Sequence, residues 1–210
     1  MAHPPGNGPR GRRSLRGTSA IEMALVVSVS VPVLLGVAGI GLRLGRTLEG
    51  MQVTRDIAHM YALGTDFSLS GTQAIAQTLS RDFTLTSSGN GVVILSRVIK
   101  VYQTDCNAAG VPSCPNLNQT VFAQRIVIGN STLRQSGFGT PPSGYIDSSG
   151  NISSANYCKQ ASLIANGFDA VLSLLQGQSA YLAEGYYSMP EINLAYFGST
   201  AGGYYVRLVF

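Results

Sequence analysis

The amino-acid sequence predicts an α+β chain, with a long N-terminal transmembrane helix followed by a mostly antiparallel β-sheet and short helices. Residues 23–42 carry no charged side chain. Residues 92–102 and 120–128 are rich in β-branched side chains and flank a cysteine-bearing loop, the pattern of an antiparallel strand pair. Two further strands are expected at 180–187 and 204–210, separated by a Pro- and Gly-containing turn region.

Taken in order, residues 1–17 are rich in Pro, Gly and Arg, and apart from Met1 only Leu15 is large and apolar. Such a segment buries no core and reads as a cytoplasmic basic leader. The uncharged run that follows, at ~1.5 Å per residue, covers the ~30 Å hydrocarbon thickness of a bilayer. One membrane span is therefore expected at about 20–42, with a kink or melted turn near Pro32. Leu44, Leu48 and Met51 on one face, and Val53, Ile57, Met60 and Tyr61 on another, carry the helical pattern onward, giving a helix over 18–61. Residues 62–210 form the remaining domain. Ile75, Leu79 and Phe83 after Thr72, an expected N-cap, predict a second helix. Residues 129–156, mostly Ser, Gly, Asn and Pro, read as a surface loop, and 161–175 as a weak helix.

The formal charge of +4 sits at the N-terminus. Arg10, Arg12, Arg13 and Arg16 precede Gly17, and the ten basic side chains that follow are matched by ten acidic ones. Arginines just before an apolar run hold that end in the cytoplasm and send the rest across the membrane. This predicts a single-pass protein of the cytoplasmic (inner) membrane with the C-terminal domain outside. The lipid bilayer is a partner; a body without net charge gives nucleic acid no electrostatic footprint.

Cys106, Cys114 and Cys158 fall in the exported part, where disulfides form and persist. The loop between Cys106 and Cys114 is short and holds Gly110 and Pro112, so closing it has a low entropic cost. That pair is favoured, while a bridge from Cys158 to either of the others stays open. With no closely spaced Cys pair and only His3 and His59, no zinc site is expected.

The informative junction is Arg16, Gly17, Thr18, Ser19, Ala20, Ile21, Glu22, Met23, Ala24, Leu25 and Val26. It joins basic leader, small residue, lone acid and apolar helix, and it resembles a prepilin processing site. Pro32 with Val33, Leu34 and Leu35, then Gly45 with Arg46, and Ala58 and Ala62 extend the likeness over about 17–63. In this stretch the chain resembles the TadE-like pseudopilins of the tight-adherence (Tad) branch of type IV pili. Met23 stands where that family often has an aromatic residue, and Arg43 and Leu44 where it often has an acid. The resemblance implies a pilin-like fold and a bacterial or archaeal source. It also implies cleavage by a prepilin peptidase between Gly17 and Thr18, and a pairing of Glu22 with the new Thr18 amine. Other pilus subunits and an inner-membrane assembly platform would then be partners, in the role of a minor pilin. A membrane-tethered or Sec-exported binding domain is the alternative.

Gly41 and Gly45 are four apart, as in helix-packing motifs. His59 and Asp56 lack a nucleophile-elbow companion, and a structural or exposed histidine is expected. No catalytic site, cofactor or small-molecule substrate is expected. Tyr181, Tyr186, Tyr187, Tyr196, Phe197, Tyr204 and Tyr205 suit strand cross-pairs and core. Asn118, Asn130 and Asn151 each begin a glycosylation sequon, discounted in a bacterial or archaeal chain.

Overall fold

The computed structural model describes residues 15–189, 193–194, 198–199 and 202–210. The leader before Leu15, the side chains of Arg16 and Thr18, and Pro190, Tyr196 and Phe197 lie outside the described residues. The first helix, α1, is Leu15–Ala62. The chain divides into two units, one ending at Leu44 and one spanning Gly45–Phe210.

In the first unit α1 is apolar all round. Ile21, Met23, Leu25, Leu34, Val37 and Ile40 are between 63% and 71% exposed. Its most apolar window has a mean hydropathy of 2.4, and none of that window is buried. A helix without a polar side is either buried in protein or set in a membrane, and this one is long and apolar enough to cross a membrane. Helical backbone continues through Pro32, so the expected melted turn does not form. Proline's fixed φ is compatible with a helix, and membrane helices accommodate the lost N–H locally.

In the second unit α1 turns amphipathic. Gly50, Val53, Thr54, Ile57, Ala58 and Tyr61 form a buried stripe at three- and four-residue steps, while Leu48 and Met51 on the other face stay exposed. The residue types Val53, Thr54 and Ile57 each lower helix propensity by up to ~0.7 kcal/mol. Burying Val53 and Ile57 contributes about 1.5–3 kcal/mol apiece, so packing decides the conformation.

The stripe lies on a four-stranded antiparallel sheet made of β1 (Gly91–Lys100), β2 (Thr120–Gly129), β3 (Ser179–Met189) and β6 (Gly202–Val209), in the order β2-β1-β3-β6. Two two-residue strands, β4 (Asn193–Leu194) and β5 (Gly198–Ser199), pair with each other. The four predicted strands are all present. Val93, Leu95, Ile126, Ile128, Ala183 and Tyr187 meet α1 together with Phe67, Phe83 and Leu85. The register shift after Arg97 leaves Ala123 unopposed in β2, and the Ala123 carbonyl instead accepts from Ile152 N–H at 2.9 Å.

Three expectations are corrected. Helix α2 is Ser70–Thr78 with Leu69 at its N-cap, so Thr72 lies inside it. Ile75 and Leu79 are 56% and 37% exposed while Ala76 is fully buried, because small Ala76 brings the helix close and Phe83 enters the core from the turn beyond. Residues 129–156 are not merely a surface loop: Phe138 and Ile152 join Leu163, Phe168 and Leu174 in a second core against Val98, Phe122, Ala180 and Leu182. The weak helix at 161–175 reduces to 3₁₀ turns at Ala161–Leu163 and Phe168–Ala170. Helices α3 (Gln103–Ala108) and α4 (Ser154–Lys159) had no clear signal in the sequence.

Candidate functional site

A helix repeat of 3.6 residues puts positions four apart on one face, so Glu22 lies one turn from Thr18 along α1. Glu22 is exposed and is the one acidic residue between Thr18 and Leu48. A Cβ built on Gly41 or on Gly45 meets nothing within 4 Å, so each leaves its own stretch of helix surface open to close approach.

Within the second unit, Glu49 accepts hydrogen bonds from the N–H groups of Arg81 (2.7 Å) and Asp82 (3.2 Å) and from Ser80 Oγ (3.1 Å). Partial desolvation acts to raise its carboxyl pKa, but the two backbone donors outweigh it and hold the group below its ordinary value. Arg46 pairs with Asp82 at 3.4 Å. The charges just past the apolar run thus clamp α1 to the turn before β1.

Asp56 and His59 line a groove of about 800 Å³ with Leu48, Met51, Val206 and Leu208. The groove runs between the exposed flank of α1 and the edge strand β6. Neither residue meets a nucleophile in that lining.

The three cysteines converge at one end of the sheet. Cys106 and Cys114 form a disulfide with Cα atoms 5.9 Å apart, the favoured pair, and Cys158 is a buried free thiol. The sulfur atoms all lie within 4.8 Å of one another, a convergence that the spacing in sequence did not suggest. Burial first, then the Asp105 carboxylate, pushes the Cys158 thiol up from its ordinary value.

A cluster on the sheet face opposite α1 was also missed. Glu184 on β3 is 1% exposed. Its carboxylate accepts from Ser136 Oγ, Tyr205 Oη and Gly137 N–H and pairs with Arg207 at 3.7 Å. Arg134 and Arg207 stack over the Tyr205 ring at 4.2 and 5.5 Å. The available signal was a lone acid in the otherwise uncharged strand Ser179–Met189. The tyrosines serve the sheet as expected: Tyr187 faces Tyr204 and Tyr186 faces Tyr205 across the strands, and the Tyr187 and Tyr204 rings stack at 5.2 Å.

No family model, curated protein or solved structure matches this chain.

Proposed function

We propose that this chain is a membrane-anchored minor pilin, similar to TadE-like pseudopilins, that supports assembly of a Tad-type adhesive pilus. The observation that carries the reading is the first unit: an apolar helix with none of its most apolar window buried, bearing a single acid, Glu22, five residues after Gly17. An ionised acid at the centre of a bilayer costs roughly 2.5–3.5 kcal/mol, so an acid kept on such a helix calls for a partner. Cleavage after Gly17 by a prepilin peptidase creates one, the Thr18 amine, on the same chain or a neighbouring subunit. The N-terminus then faces the cytoplasm, and residues 62–210 lie outside the inner membrane as an assembly body carrying no reaction chemistry. The open surface at Gly41 and at Gly45 suits close packing against other pilus subunits or the assembly platform.

Intact-mass analysis of the membrane-extracted protein tests the first step, with Thr18 expected as the first residue. A start near Gly39 overturns the reading. An uncut start favours a tethered binding domain, for which the groove beside β6 is the available surface. In the second test, Glu22→Ala and Glu22→Gln are expected to insert normally and to be lost from assembled pili. Breaking one side of a buried pair costs ~3–5 kcal/mol, a depletion of about several hundredfold or more at ~1.4 kcal/mol per decade. Wild-type recovery of both variants in pili removes the assigned role of Glu22.

A further inference from the structure

We infer that Cys158 is an internal nucleophile that exchanges into the Cys106–Cys114 disulfide, forming a Cys106–Cys158 bridge and releasing Cys114 as a reactive thiol. The inference stands on the cysteine geometry and not on the pilus reading. All three sulfur atoms lie within 4.8 Å of one another, and Cys114 Sγ is 3.6 Å from the Cys158 carbonyl oxygen. The supporting backbone is already stitched together. Asn116 donates through Nδ2 to the carbonyls of Tyr157 and Gln160 at 2.8 Å each, and its N–H donates to Cys158 O at 3.3 Å. These bonds hold the Cys114 loop against α4, so the free thiol stays beside the disulfide.

Attack on Cys106 is preferred over attack on Cys114. Cys106 and Cys158 are fully buried, whereas Cys114 is half-buried in the loop, so the departing thiolate is the one that water can solvate. The Cys158 thiol loses its proton and its thiolate attacks Cys106 Sγ. The Cys158–Cys106 bond forms as the Cys106–Cys114 bond breaks, and the electron pair leaves on Cys114 Sγ, which takes up a proton. Nothing is oxidised or reduced overall. The exchange moves the free thiol from the interior of α4 to the loop surface, where it can open a disulfide on a second exported protein to form a mixed bridge. Burial, then the Asp105 carboxylate on α3, hold Cys158 protonated near neutrality. Exchange is therefore slow there and accelerates by about tenfold per pH unit as the thiolate fraction rises.

The test uses the full chain in detergent micelles, incubated at neutral and at alkaline pH with a bulky maleimide, then mapped by proteolysis without reduction. The expected result is a Cys106–Cys158 cross-linked peptide with the label on Cys114, formed faster at alkaline pH. Cys158→Ser is expected to keep the Cys106–Cys114 bridge and take no label. Cys114→Ser, folded in the presence of oxidised glutathione, is expected to bridge Cys106 to Cys158 completely. Only Cys106–Cys114 peptides at every pH, or label on Cys158 in the folded wild type, overturns the inference. Two free thiols in oxidised, folded Cys114→Ser overturn it as well.

Discussion

Glu184 is a buried carboxylate surrounded by donors. Its carboxylate holds Ser136 and Gly137, and so fastens the start of the long connection after β2 onto the sheet. Arg125, on the same face, is 6% exposed and hydrogen-bonds Gly139 O at 2.8 Å. Burial pushes its guanidinium down to about 10, against the pull of the Glu184 charge. Losing that charge breaks the Arg207 ion pair and removes the attraction that Glu184 exerts on Arg125. Glu184→Gln, which keeps the shape, is expected to destabilise the body by about 1.5–3 kcal/mol, the usual worth of hydrogen bonds to a charged group. Urea unfolding in micelles followed by circular dichroism measures it. A loss within the ~0.5 kcal/mol typical of neutral surface changes would show that the carboxylate is dispensable.

Elements in this body meet closely where glycine allows it. A Cβ on Gly50 of α1 would fall on the Tyr204 hydroxyl and within 3.1 Å of the Tyr187 ring, and one on Gly185 of β3 would run into Thr54 Oγ1. Thr54 Oγ1 in turn donates to Gly50 O and shares a hydrogen bond with Tyr187 Oη, each at 2.9 Å. Gly50→Ala is therefore expected to cost about 1–3 kcal/mol through overpacking. Gly71, in α2, has open space around it, so Gly71→Ala should gain about 0.5–1 kcal/mol from helix propensity alone. Thermal unfolding of the two variants side by side checks the contrast, and equal shifts would refute it. The sheet edges also differ. The outer side of β2 is covered by bridges from Asn151 and Ile164, whereas β6 has no strand on its outer side among the described residues. An uncovered strand edge is a natural pairing surface.

For the molecule as a whole, four tyrosines weaken the fold at alkaline pH: Tyr61, Tyr187 and Tyr204 in the core under α1, and Tyr205 beside Glu184. Burial pushes Tyr187 up to about 12, partly opposed by its hydrogen bond to Thr54. Burial and the hydrogen bond to Glu184 push Tyr205 up to about 12. Burial also raises Tyr61 and Tyr204. A raised folded-state pKa means that the unfolded chain loses its phenolic protons first, so the tyrosine contribution to stability is intact below about pH 10. It then falls as pH rises through the folded-state values. Absorbance titration is expected to show these tyrosines ionising late and together with loss of the circular dichroism signal. Ionisation of all ten near the ordinary tyrosine value in a still-folded protein would contradict the assignment.

Residue order alone determined the long apolar helix, the four main strands and the favoured disulfide. Twenty uncharged positions specify a membrane-length helix because its backbone bonds close within the segment. Likewise, β-branched runs specify strands, and the short spacing with Gly110 and Pro112 favours the Cys106–Cys114 bridge. Tertiary structure alone decided what depends on distant pairing. Strand β3 inserts beside β1, so Ile94 sits opposite Glu184, and no local pattern encodes that neighbour. It also decided that Phe138 and Ile152, in a stretch that reads as polar loop, are core residues. Beside the Glu184 cluster that face presents Val98, Phe122, Ala180 and Leu182, and the connecting chain covers them with its few large side chains. Cys158 reaches the other two sulfurs by the same means, carried in by α4 as the connection folds back over β2.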